Sequence, residues 1–187
     1  MALRKQGGMT SLALEFMMLT ACRTGEVVGA KWDEIDLTTN VWTIPPERMK
    51  AGKEHRVPLC KRAVGILQLL KANVQNDFVF PSHSVEKNSH MSTGSCLVAM
   101  KRMTAFKGFT PHGLRSTFRD WASETTKFAN ETLELALAHT IKNKAEAAYR
   151  RKDQLEKRVT LMQLWQNYIE TKQSTSTVLP LLQKVRL

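Results

Sequence analysis

The sequence holds no run of about 18 apolar residues, so no segment reads as a membrane-crossing helix. Its longest apolar stretch, 12–22, is interrupted by Glu15 and is not followed by a small-residue cleavage site, which excludes a secretory signal. Cysteine is scarce: Cys22, Cys60 and Cys96 form an odd, widely spaced set, which excludes a disulfide framework and a zinc knuckle and fits a reducing compartment. Acids are also scarce, 17 Asp and Glu against 28 Lys and Arg, and no carboxylate cluster of the kind that holds Mg²⁺ is visible. Tyrosine occurs twice, at 149 and 168. There is no internal repeat and no low-complexity block beyond 174–177. What remains is a chain of 187 residues, 42% hydrophobic, with a formal charge of +11. That length suits one domain, and that surplus suits a polyanion as partner, with nucleic acid ahead of a ribosomal or membrane-surface role.

Periodicity predicts a mainly α protein with one small antiparallel β-sheet, an α+β fold. Helices are expected over 9–21, 24–31 (Thr24 as N-cap), 61–71, 93–105, 111–124, 130–139, 144–151 and 154–170. The last carries Leu155, Val159, Met162, Trp165 and Ile169 as its apolar stripe. Residues 35–59 read as β, with strands at 41–44 and 57–59 around a glycine turn at 49–53. Thr110-Pro111 is a strong helix start, a capping side chain followed by proline at the first helical position.

Four groups of residues could carry chemistry. Along the helix after Pro111, Leu114, Phe118, Trp121 and Ala122 share a core face, while His112, Arg115 and Arg119 lie about 110° round on a solvent- or cleft-facing strip. Arg23 follows a helix that must be buried, as either a carbonyl cap or an anion ligand. Residues 48–62 hold six cations and one acid; Arg48, Lys50, Lys53 and Arg56 could touch a backbone phosphate or simply guard a sheet edge. His139 precedes Tyr149 by ten residues, and Tyr149 is followed by Arg150 and Arg151. Tyr168 has no basic company and reads as surface or tail packing.

The order Arg23, Lys50, His112-Gly-Leu-Arg115, His139, Tyr149 resembles the catalytic domain of tyrosine recombinases, in particular the integrases of temperate phages and genomic islands. Leu19-Thr-Ala-Cys-Arg23-Thr-Gly-Glu26 resembles that family's first arginine box, 50–59 its lysine hairpin leading to Val-Pro-Leu, and 112–115 its His-x-x-Arg box. The resemblance covers about residues 10–170. It implies the integrase catalytic-domain fold and a site in which Arg23 and Arg115 clamp the scissile phosphate of double-stranded DNA. His112 and His139 complete the pocket, Lys50 is the general acid and Tyr149 the nucleophile. Arg48, Lys53, Arg56, Arg119, Arg150 and Arg151 are the accompanying DNA-binding candidates. It also implies a catalytic domain over 9–172 whose N-terminal DNA-binding domains are absent, with 1–8 a leader or linker remnant and 173–187 a C-terminal tail.

Those residue types suit phosphoryl transfer at a diester. Arginines stay charged and grip non-bridging oxygens with paired N–H groups, which lets them do the work of metal ions. A phenol of pKa about 10 is only about 0.1% ionised at pH 7 and needs a base, for which His112 is the candidate. The expected outcome is cleavage and rejoining through a 3′-phosphotyrosine link, by four protomers on DNA with the tail of one contacting the next. No metal, cofactor, small-molecule substrate or membrane is expected, and the compartment is the bacterial cytoplasm, with the nucleoid. Rival readings are type IB topoisomerase-like relaxation of one duplex, a non-catalytic DNA-binding remnant of a decayed prophage, and a basic structural or RNA-associated protein.

Overall fold

A computed structural model describes residues 2–82, 88–139 and 153–171. Its elements are α1 (Ala2–Gln6), α2 (Met9–Thr20), α3 (Thr24–Val28), β1 (Ile35–Asp36), β2 (Val41–Ile44), β3 (His55–Pro58), α4 (Lys61–Lys71), α5 (Thr93–Arg102), α6 (Pro111–Thr125), α7 (Asn130–Ala136) and α8 (Leu155–Glu170). The expected class, mostly helix with one small antiparallel sheet, is what the structure has. The sheet runs β1-β2-β3, with Trp42 opposite Val57 and Ile44 opposite His55. The chain reverses between β2 and β3 at Gly52, whose φ of 61° is open to glycine without a Cβ penalty.

α2 is the central helix. Ala13, Leu14, Phe16, Met17 and Leu19 are all buried, so apolar residues surround it, as expected for a helix packed on every side. Phe16 meets both Trp42 of β2 and Phe80, with ring centroids 5.5 and 5.6 Å apart. The glutamate that interrupts its sequence, Glu15, is buried and serves as a tie. Arg4 Nε donates to it at 2.6 Å, and Arg62 Nε and Nη2 at 2.9 and 2.7 Å. Arg4 also reaches Glu170 of α8 at 2.6 Å. Burial pushes the Glu15 carboxyl up, but the hydrogen bonds and charges of Arg62 and Arg4 outweigh it and hold the group below the usual carboxylate range.

Within 1–8, α1 lies on α2, Leu3 is in the core and Arg4 ties two helices. This five-residue helix is too short to show a periodicity in the sequence. Thr24 is not the cap of α3. Arg23 occupies the N-cap, and its backbone N–H donates to Glu26 at 2.7 Å. On α8 the buried positions are Arg158, Leu161, Met162, Trp165 and Gln166, while Val159 is half exposed. The expected helix over 144–151 and the tail at 173–187 lie outside the described residues.

Two apolar clusters divide the interior. One gathers α2, the sheet, α4, α5 and Leu114; the other gathers Phe118, Trp121, Leu133, Leu137, Leu161 and Trp165 from α6, α7 and α8. The boundary crosses two places in the chain. Ala21 belongs to the second cluster and Cys22 to the first; Leu114 belongs to the first and Phe118 to the second. Arg23 and Arg115 sit at this seam.

Candidate active site

α6 begins as its sequence predicts: the Thr110 hydroxyl accepts from Gly113 N–H at 3.1 Å, with Pro111 in the first turn. This start fixes the phase of the helix. His112 is exposed at its beginning, and Arg115, one turn on, is buried. The expected strip therefore does not face solvent throughout: its middle member turns inward, into the seam.

Arg115 is 5% exposed, yet no carboxylate touches it among the described residues. Its Nη1 donates to Ala21 O at 2.5 Å and its Nη2 to Leu137 O at 2.6 Å. Both acceptors sit at helix C-termini. α2 ends at Ala21, with φ 52°. α7 ends at Leu137 and Ala138, with φ 48° at Ala138. There His139 N–H returns to Glu134 O at 3.0 Å and Ala138 N–H to Leu135 O at 3.2 Å, the double closure of a Schellman cap. Alanine in a left-handed conformation costs about 1 kcal/mol relative to glycine. Terminal carbonyls have no partner within their own helix and carry the negative end of its dipole. They hold the guanidinium in place without cancelling its charge, as a carboxylate would.

His139 joins the same point. Its Nε2 lies 3.4 Å from Arg115 Nη2 and its Nδ1 2.8 Å from Glu134 Oε2. Arg23 caps α3 nearby. Its Nη1 donates to the buried carboxylate of Glu26 at 2.7 Å, and its side chain is 30% exposed. The charge of Arg23 bears on Arg115, and both bear on the Cys22 thiol and the His55 ring, so the two arginines lie near one another. Burial, with Arg23 nearby, draws the Arg115 pKa below that of a free guanidinium. Burial, with Glu26 nearby, pushes the Cys22 thiol up to about 12, so it is no nucleophile.

Lys50 and Lys53 are exposed on the hairpin and make no hydrogen bond or ion pair with described residues. Arg48, one of the DNA-contact candidates, is engaged within the protein. It is paired with Glu34 and donates to Glu26 O at 2.6 Å, bracing α3 against the sheet. Arg119 is likewise engaged, by Glu134 at 2.8 Å and by Asn130. Arg56 points outward from β3 and pairs with Asp153 at 3.2 Å. Tyr149, Arg150 and Arg151 lie outside the described residues.

Sequence reasoning overlooked three participants. Glu134 stands five residues before His139, with only the helix end to mark it. His55 alternates with Arg56 on β3, which puts it on the buried face beside Val57, a signal that period 2 offers. Burial, then the charge of Arg158, lowers its pKa to about 4. Arg158 lies three residues after Leu155 and four before Met162, on the apolar stripe itself. It is 1% exposed and donates to Arg56 O and Asp153 O at 2.5 and 2.8 Å.

A scan against known families matches residues 2–156 to the phage integrase family. The chain belongs to the phage integrase family. Prophage integrase IntA of Escherichia coli K12 is 38% identical over 173 residues, which cover 92% of this chain and 41% of that protein. The chain spans less than half the length of the curated integrases it matches. Among solved structures, the integrase from mycobacterium phage Brujita superposes with a TM-score of 0.63 at 20% identity, covering 83% of this chain and 50% of that one. A lambda integrase tetramer bound to a Holliday junction superposes with a TM-score of 0.55 at 20% identity, covering 82% and 46%. The fold is thus the integrase catalytic-domain fold that the sequence resembles, and the tyrosine-recombinase reading of its motifs is borne out at the level of family.

Proposed function

We propose that this chain is the catalytic domain of a site-specific DNA recombinase, one that cleaves and rejoins DNA for the integration and excision of a mobile element. The observation that carries this reading is the Arg115 guanidinium: buried, charged, fixed by two helix ends and flanked by Arg23 and His139. An anion of tetrahedral geometry suits that arrangement. A non-bridging oxygen of a phosphodiester takes N–H groups from both arginines, and the negative charge carried by the non-bridging oxygens in the transition state strengthens those bonds.

The reaction then runs as follows. Tyr149 Oη, its proton taken by His112, attacks phosphorus; the bond to the 5′ oxygen breaks, and Lys50 protonates the leaving oxygen. The product is a 3′-phosphotyrosine and a free 5′ hydroxyl. A 5′ hydroxyl from a partner strand reverses the step, so the phosphodiester energy is kept in the covalent link. Lambda integrase as a tetramer on a junction supports the assignment of four protomers to strand exchange. The tail beyond residue 172 is assigned to contact between neighbours. Among described residues no helix is long and apolar enough to cross a membrane, which accords with work at the nucleoid in the cytoplasm.

The test is trapping. A pool of nicked duplexes that lose the 5′ fragment on cleavage is incubated with the full chain, and covalent protein–DNA complexes are counted. Wild type forms them and Tyr149→Phe does not, while both bind DNA alike. Wild type that binds without ever forming the adduct would make the protein a DNA-binding remnant. Relaxation of supercoiled DNA without strand joining would make it a topoisomerase.

A further inference from the structure

His139 is exposed enough to meet a ligand, 41% by its side chain, yet its ring is not free to turn. Its backbone N–H is tied to Glu134 O at 3.0 Å and its Nδ1 to Glu134 Oε2 at 2.8 Å, so one residue holds both ends of it. A carboxylate offers acceptors only, so the second contact requires the hydrogen on Nδ1. Nε2 faces Arg115 Nη2 at 3.4 Å, and a guanidinium offers donors only, so in the free protein Nε2 presents its lone pair. Two neighbours of opposite kind thus select a single neutral tautomer, with Nδ1–H toward Glu134.

We propose that Glu134 is a positioning residue for strand cleavage, acting through His139; this rests on the function proposed above. It locks the Nδ1–H tautomer and aims Nε2 at the clamp. Once a phosphate displaces the contact with Arg115, Nε2 is the ring atom left facing its oxygen. The other oxygen of Glu134 is engaged by Arg119 Nε at 2.8 Å, which fixes the carboxylate plane and gives Arg119 a supporting place in place of a DNA contact. Burial pushes the Glu134 carboxyl up, but hydrogen bonds from His139 and Arg119 outweigh it and hold the group below the usual carboxylate range.

Two readouts test this on the full chain. The first needs no activity: long-range proton–nitrogen NMR of the His139 ring, assigned by its loss in His139→Gln. The expected result is Nδ1–H in wild type, with Nε2–H gaining in Glu134→Ala; Nε2–H in wild type overturns the proposal. The second is adduct formation on the nicked duplexes. Glu134→Ala is expected to slow it by about tenfold to a hundredfold, the range seen for supporting partners of functional histidines, with DNA binding unchanged. On a His139→Ala background the same substitution should change nothing further. Glu134→Asp should recover part of the rate, and Arg119→Gln should cost less than Glu134→Ala. A Glu134→Ala effect that persists in the absence of His139 overturns the proposal while leaving the function intact. A His139→Ala variant that cleaves like wild type removes His139 from the reaction and the proposal with it.

Discussion

Two clusters built from arginine, one at the middle of α2 and one at its C-terminal end, use the residue differently. At Glu15, arginines from α1 and α4 converge on one buried carboxylate. At Arg115, one arginine converges on two helix ends, with carbonyls as its partners. In the first, charge is cancelled by charge and the product is a tie between elements. In the second, position is fixed and charge is left uncancelled. Burial of a cation with only dipoles around it is costly, and a fold that retains one has it available for an anion from outside. The comparison separates these two sites by their partners, not by their exposure; Arg23 stands between them, paired with Glu26 and 30% exposed.

Arg115→Ala puts the comparison under the greatest strain. It should lower adduct formation by at least about 10³-fold, since a positioned donor at the reacting phosphate is lost, and it leaves two buried carbonyls unpaired at about 1–3 kcal/mol each. Arg115→Lys should recover part of the melting temperature but little of the cleavage, because an ammonium cannot span both carbonyls and the phosphate. Recovery of cleavage by lysine would demote the site to a simple positive charge.

Lys50→Ala comes next. The residue is exposed and without a partner among the described residues, so stability should stay within about 0.5 kcal/mol while cleavage falls about 10²-fold through loss of the acid. Lys53→Ala, on the same hairpin, should leave the rate of cleavage unchanged once bound. A 5′-thiolate leaving group, which needs no proton, should restore Lys50→Ala.

His55 sharpens the contrast through pH. Its pKa in the folded protein is about 4 against an ordinary 6.5, so between those values the unfolded chain binds a proton that the folded one refuses. Stability is complete above about 6.5 and falls as pH drops toward 4, by about 3 kcal/mol in all. His55→Leu should flatten urea-unfolding stability across that window. Glu15 responds in a different range: its carboxyl is held low, so its contribution is present above the ordinary value of 4.5 and is lost below it.

Glu15→Ala should have the smallest effect on chemistry. It should cost about 2 kcal/mol, less than a fully buried pair because Arg4 and Arg62 both reach solvent, and leave adduct yield per folded molecule unchanged. Loss of cleavage from this distant tie would dissolve the distinction between the two clusters.

Much of this was legible in the residues. Helix and strand periods placed α2, β2, α4 and α6 nearly to the residue, and Thr110-Pro111 set the phase that turns Arg115 inward. What the sequence could not show was partnership. Arg48, Arg62, Arg115 and Arg119 read alike until their acceptors are known, and those acceptors come from distant elements. Arg158 was hidden by the assumption that an apolar stripe excludes charge, and α1 by spanning little more than one turn.

The central claim is that Arg115 acts by its charge on a non-bridging oxygen. Nicked duplexes carrying either the phosphate or a neutral methylphosphonate at the scissile position test it directly, with cleavage by wild type and Arg115→Ala compared on each. The account predicts that the large penalty of Arg115→Ala on phosphate shrinks to a few-fold on methylphosphonate. An equal penalty on both substrates would contradict it.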